Sequence, residues 1–224
     1  MKYRCVTTSV EGFIQQLAVA YITHGYWFYV TGEIPDDKNP AAIDVKLVER
    51  YGIAISKWAR CRRKKQGFAN MQYLRHKRFF VLLATKGQHV FFERERESLR
   101  DVRRVPIRIE GYSIGCRKGR DGRWHASVRI DALSFAELIA QFADISLRKS
   151  NQALVDSTRE LRYARYAPVT RQIISLIRRT NRIRRAGGLS EISDEDVHQR
   201  RKSISPFGEA SSLPSPLNAA PIWT

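Results

Sequence analysis

Two sets of residues in this chain are of types that could act on a phosphodiester. His76 and His89 flank a hydrophobic run, and the chain holds nine tyrosines. A histidine pair holding a divalent metal, with a tyrosine as nucleophile, is a strand-nicking arrangement. It needs His–hydrophobe–His on one strand so that both imidazoles project to one face. His76 and His89 stand well apart with no such triplet, and their plainer reading is as surface or phosphate-contact residues. Asp36 with Asp44-Val45-Lys46 offers carboxylates for Mg²⁺ or Mn²⁺ and a lysine for the attacking water. The spacing leaves no room for an intervening hairpin, and Asp44 falls on an expected helix. The sequence has no GxxxxGK, no GxGxxG after a strand, no HExxH and no GxSxG. Cys5, Cys61 and Cys116 are odd in number and scattered, so neither a disulfide framework nor a CxxC zinc site is available. No metal or other cofactor is therefore expected, and binding without catalysis is favoured. A metal-dependent nuclease or strand-nicking enzyme is the alternative, and it alone would call for Mg²⁺ or Mn²⁺.

Charge is the stronger signal. The 224 residues carry a formal charge of +18. Residues 1–59 are balanced, whereas residues 60–129 hold twenty Lys/Arg against six Asp/Glu. Charge gathered in this way points to a polyanion, because each neutralised phosphate releases condensed counterions. The expected partner is nucleic acid, DNA before RNA. A solvated basic surface or an anionic lipid patch is the plainer alternative. No apolar run approaches the roughly 18–20 residues of a membrane span, and the opening Met-Lys-Tyr-Arg-Cys lacks the features of a signal peptide. The expected setting is intracellular, in the cytoplasm or nucleoid.

Periodicity and turn chemistry give the elements that must position these charges. An apolar face at three/four spacing predicts a helix over 9–24, and the aromatic run 26–31 a strand. Helices are expected over 40–51 and 55–65, interrupted at Gly52. Strands are expected over 70–75 and 78–85, with a tight turn at His76-Lys77. Residues 93–104 read as a short exposed helix or loop. A second hairpin is expected from 105–116 and 124–130, and a capping box of Ser134 and Glu137 before a helix over 135–147. Further helices are expected over 151–166 and 168–185, the last stopped by Gly187-Gly188. The Ser/Pro/Ala-rich composition after Lys202 predicts a tail without fixed structure. The class is α+β. Its expected organisation is a nucleic-acid-binding region over 1–92, a basic hairpin and helical region over 93–187, and a short acidic segment with the tail over 188–224.

The segment from Lys46 to Arg63 (KLVERYGIAISKWARCRR) resembles the helix–turn–helix of DNA-binding proteins. Leu47 and Val48 would face the core, Gly52 would make the turn, and Ile53 would fill the angle between the helices. Trp58 and Cys61 would seat the second helix. The order helix, strand, helix, helix, hairpin over residues 9–87 is similar to that of a winged helix. The resemblance implies base and phosphate contacts from Ser56, Lys57, Arg60, Arg62, Arg63, Lys64 and Lys65. It implies a wing at Arg75, His76, Lys77 and Arg78. A helical hairpin within a mixed domain is the plainer alternative.

Three further features bear on the partner. The turn with Arg117, Lys118 and Arg120 suits a nonspecific phosphate contact. Arg178, Arg179 and Arg182 on the helix 168–185 would extend the footprint, while its isoleucine stripe packs on the domain or on a partner such as a second copy. Tyr73 and Phe79, interleaved with cations, would serve an RNA-binding module that stacks bases. As a DNA binder, the protein would act as a regulator or as an accessory factor of a mobile element.

Overall fold

The computed structural model describes residues 3–196 and 204–207. The fold is α+β, and the chain forms two compact units. The first takes Met1–Val105, Cys116–Ala126 and the stretch from Ile204, and the second takes Pro106–Gly115 and Ser127–Ser203. The first unit thus runs past the boundary expected at residue 92.

In the first unit, β1 (Val6–Thr7) leads to α1 (Val10–Gln15), capped by Ser9, whose hydroxyl accepts the Gly12 N–H at 3.1 Å. The helix continues as a π-helical stretch, Gln16–Tyr21, and a 3-10 turn, Ile22–His24. There follow β2 (Phe28–Glu33), α2 (Pro40–Arg50), α3 (Lys57–Lys65), β3 (Met71–His76) and β4 (Phe79–Ala84). The unit's remaining elements are α4 (Phe91–Arg94) and β5 (Arg100–Asp101). The sheet order is β1-β3-β4-β2-β5, with β1 parallel to β3 and the other pairs antiparallel. The stretch expected as a short exposed helix or loop over 93–104 therefore includes a strand that extends the sheet.

Alternation along β3 sends Met71, Tyr73 and Arg75 to one face and Gln72, Leu74 and His76 to the other. Met71 and Tyr73 join a core with Val48, Tyr51, Ile53, Leu82 and Phe91. On the opposite face the ring of Phe13, on α1, lies 6.4 Å from His76 and 5.9 Å from Phe79. Both faces of the β3–β4 hairpin are thus covered.

The second sheet has the order β6-β7-β8, formed by β6 (Ile107–Ile109), β7 (Tyr112–Lys118) and β8 (Trp124–Ile130). The run expected as one strand over 105–116 is broken by a two-residue turn, Glu110-Gly111, with φ of 41° and 79°. Positive φ at both positions is the type I′ geometry that suits tight hairpins. The helices are α5 (Ala132–Ile145), α6 (Asn151–Arg159) and α7 (Ala167–Ala186). Asp131, not Ser134, caps α5: its carboxylate accepts the Leu133 N–H at 3.0 Å and pairs with Arg108 at 3.3 Å. α6 ends at Arg159 rather than near Tyr166. The Tyr112 hydroxyl accepts the Ala164 N–H at 2.7 Å and donates to the Arg162 carbonyl at 3.2 Å, which competes with helical pairing there. α7 buries Val169, Ile173, Leu176 and Ile177 and packs against α5, so its apolar stripe is used within the chain.

Side-chain amides fasten backbone at three places. Gln172 donates to the Ile130 carbonyl at 3.0 Å and accepts its N–H at 2.9 Å. Asn181 does the same for Ile192 at 2.8 and 2.9 Å. In the first unit Gln15 holds Ile204 at 2.8 and 3.5 Å, and the Thr8 N–H donates to the Pro206 carbonyl at 3.3 Å. Residues 204–207 therefore lie on α1, against the expectation of a tail without fixed structure. The rest of that expectation falls outside the described residues. Among the described residues no helix is long and apolar enough to cross a membrane.

Candidate nucleic-acid interface

α2 closes on Gly52, whose φ of 54° lets the Ile53 N–H reach the Val48 carbonyl at 2.9 Å and its own N–H reach Glu49 at 3.0 Å. This glycine-terminated cap turns the chain and leaves Ile53 fully buried. α3 begins at Ser56, whose hydroxyl accepts the Ala59 N–H at 3.2 Å. It ends in the same kind of cap at Gly67, with Phe68 N–H to the Arg63 carbonyl at 2.9 Å. Arg62, Arg63, Lys64 and Lys65 occupy its last turn, where the helix dipole favours cations.

α3 buries none of its side chains. Trp58 and Cys61, expected to seat it, are both exposed, Trp58 at 80%. The seat is instead Arg60. Its guanidinium donates to the Met71 carbonyl at 2.8 Å and the Ile53 carbonyl at 2.6 Å, while Asn70 Nδ2 donates to the Arg60 carbonyl at 3.0 Å. Arg60 is thus turned inward, away from the role in base contact that the resemblance implied. The segment KWARCRRKK carries no apolar stripe, and that signal was present in the sequence. Lys57, Arg62, Lys64 and Lys65 are exposed, and none is paired with a carboxylate among the described residues.

Two clefts of about 750 Å³ each border α3. Tyr3, Arg4, Tyr21, Ile55, Lys57 and Gln72 line one, together with Ser56 at the start of the helix. Arg63, Phe68, Gln88, His89 and Glu93 line the other. There His89 Nδ1 accepts the Phe91 N–H at 3.1 Å, so that nitrogen carries no proton. Burial, and then the charge of Arg63, hold the His89 imidazolium below its ordinary pKa of 6.5.

The four residues expected to form a wing have different fates. Arg75 is buried, with Nε and Nη2 each 2.7 Å from an oxygen of Asp44, and the Tyr73 hydroxyl is 2.6 Å from the same carboxylate. His76 is buried, its Nδ1 3.3 Å from the Thr7 hydroxyl. Arg78 donates to the Ile34 carbonyl at 2.9 Å and pairs with Asp36 at 2.9 Å. Only Lys77 of the four is exposed. Tyr73, fully buried, and Phe79, packed on Phe13, are not placed to stack bases. Asp44 is likewise committed to its partners, and among the described residues no three His, Cys, Asp or Glu are grouped to hold a metal ion.

At the β7–β8 turn, Arg117, Lys118 and Arg120 are exposed, as is Arg123, which the sequence reading passed over. Asp121 there pairs with His125 at 2.9 Å. Arg103, also in this unit, is enclosed: its guanidinium lies 4.3 Å from the Trp27 ring centre and 5.5 Å from that of Trp124, and it pairs with Asp101 at 2.5 Å. In the second unit Arg179 and Arg182 are exposed beside a groove of about 200 Å³, whereas Arg178 lies 3.6 Å from Asp194. Comparison of the chain with protein families, with curated proteins and with solved structures gives no match in any of the three.

Proposed function

We propose that this protein binds nucleic acid, duplex DNA before RNA, through the outer face of α3, and that it does so as a winged helix–turn–helix without chemistry of its own. The observation that carries the reading is that α3 is fastened by the inward Arg60 and leaves Lys57, Arg62, Lys64 and Lys65 exposed without carboxylate partners among the described residues. Four unpaired cations on two turns of helix repel one another, and a row of phosphates relieves that repulsion. The order α1, β2, α2, α3, β3, β4, with β2 and β3 flanking β4, supports the winged-helix reading. In such a domain α3 would enter the major groove. The turn with Arg117, Lys118, Arg120 and Arg123 adds phosphate contacts, a role the buried Arg75 and His76 do not fill. A regulator or an accessory factor of a mobile element would work in this way.

The test is a titration of labelled duplex DNA, single-stranded DNA and structured RNA at two salt concentrations, with and without Mg²⁺. The expected result is salt-steep binding to the duplex with the probe left intact. Replacing Lys57, Arg62, Lys64 and Lys65 together by Ala should flatten the log–log salt slope by up to about 3–4 units. Cleavage of a probe, absence of binding, or an unchanged slope in the variant would overturn the reading.

A further inference from the structure

Trp58 stands at the second position of α3 with 80% of its surface in water. The other two described tryptophans are used: Trp27 and Trp124 lie 6.2 Å apart and enclose Arg103. Trp58 has no ring or cation contact among the described residues. An indole offers some 150–250 Å² of largely apolar surface, so leaving it in water forgoes one of the largest burial gains a side chain can make. Arg60, not Trp58, fastens the helix.

The surroundings narrow what would cover it. On a helix, residues 58, 62 and 65 fall on one stripe, which places Arg62 and Lys65 in line with the indole, and Lys57 and Lys64 are exposed beside them. An apolar protein pocket closing over Trp58 would have to desolvate these cations. A lipid surface would find no second large apolar group on α3 to insert. A phosphate alone would leave the ring unused. A nucleobase outside the helical stack supplies a flat π face on a chain of phosphates, and it matches an aromatic ring followed by cations at one-turn spacing. Paired, stacked bases show only their edges, to which an indole can donate a single hydrogen bond.

We infer that Trp58 stacks on an unpaired base, and that the preferred ligand of α3 is a nucleic acid in which an unpaired nucleotide adjoins helical phosphates held by Arg62 and Lys65. This rests on the reading of α3 as the nucleic-acid interface and names the substrate class within it.

The experiment compares three labelled probes of equal phosphate count: an uninterrupted duplex, a duplex with a single-stranded overhang, and a single strand, each as DNA and as RNA. Wild type, Trp58→Ala, Trp58→Phe and the double variant Arg62→Ala/Lys65→Ala are titrated at two salt concentrations. Wild type should prefer the overhang probe. Trp58→Ala should weaken that probe by about 5- to 150-fold, alter the uninterrupted duplex less than about twofold, and leave the salt slope unchanged. Trp58→Phe should retain most of the preference, and the double variant should flatten the slope on every probe. The DNA and RNA arms identify which polymer supplies the base. Equal losses on all probes, or no loss, in Trp58→Ala with a flattened slope in the double variant would overturn the stacking inference alone. An unaltered slope in the double variant, or no binding at all, would overturn the interface reading with it. A wild type that sediments as a dimer and a Trp58→Ala variant that is monomeric would also overturn the inference, by assigning the indole to a contact between copies.

Discussion

Arg75 and Asp44 meet through two parallel bonds, Nε and Nη2 each at 2.7 Å from a different carboxylate oxygen, with the carboxylate fully removed from water. The pair joins the end of β3 to the middle of α2, and the Tyr73 hydroxyl completes it. Burial alone would lower the Arg75 guanidinium, but the hydrogen bonds and charge of Asp44 hold it above its ordinary value. The same surroundings raise the Tyr73 phenol, through burial and then the bond to Asp44. This cluster fixes α2, and through its cap the start of α3, upon the sheet.

Removing one member of a buried ion pair leaves the other uncompensated, at a cost of about 3–5 kcal/mol. Arg75→Ala and Asp44→Ala should each lose about that much stability in urea unfolding, and the double variant should lose less than the two singles together. Two singles within about 1 kcal/mol of wild type would show that the pair contributes little.

Arg60 positions α3 through its bonds to two backbone carbonyls. Arg60→Ala should lower stability by about 1.5–3 kcal/mol, through the loss of charge-assisted bonds to the Met71 and Ile53 carbonyls, and should weaken nucleic-acid binding with it. Arg62→Ala, on the exposed face, should weaken binding at unchanged stability. An Arg60→Ala protein as stable as wild type would refute this division of roles.

Gly87 has a φ of 141°, and a Cβ there would lie 2.5 Å from the Ala69 nitrogen and 2.6 Å from the Phe68 carbonyl carbon. Phe68 also forms an isolated bridge with Gln88, and both residues line the cleft beside α3. Backbone cannot yield as a flexible side chain can, so Gly87→Ala should cost more than the about 1–3 kcal/mol of backbone strain alone. Gly122→Ala, with φ of 72° and open space around it, should cost about 1–2 kcal/mol. Thermal unfolding of both variants would decide it, and equal midpoints would mean that the crossing at Gly87 relaxes freely.

Burial and the charge of Arg63 hold the native pKa of His89 below its ordinary 6.5. The unfolded chain then binds the proton first as pH falls. The stabilising contribution is complete above about pH 6.5 and declines as pH drops from there towards the lower native value. His89→Gln should remove this part of the acid-side slope in a comparison of unfolding free energies between about pH 7.5 and 5. An unaltered slope would place the titration elsewhere.

Gln172 satisfies both backbone groups of Ile130. Gln172→Ala should cost about 1–3 kcal/mol by leaving them without that partner. Gln172→Glu, which keeps an acceptor and loses the donor, should fall between. Identical stability of Gln172→Ala and wild type would mean that water replaces the amide without loss.

Much of this fold is local and was readable from the sequence. The helices over 9–24, 40–51 and 55–65 were legible, and Gly52 marked the turn. The β3–β4 hairpin showed in two strand-like runs around a tight turn, and the α+β class in the order of elements. The net charge of residues 60–129 marked a candidate surface. Exposure was not local. Arg75 and His76 read as the cationic tip of a wing because they flank a turn, yet α2 covers one face of that hairpin and α1 the other, so alternation buries both. Arg60 and Trp58 read as contact and anchor, yet Arg60 is the anchor and Trp58 stands in water. No rule of spacing tells a helix whether its seat is an indole or a guanidinium. That choice depends on which partners the neighbouring chain presents, and the Ile53 and Met71 carbonyls, brought together only by the tertiary fold, are two acceptors that a guanidinium can satisfy together and an indole, with its single N–H, cannot. The sequence by itself determined the elements and the total charge, whereas packing on both sides of the sheet decided which charges face water.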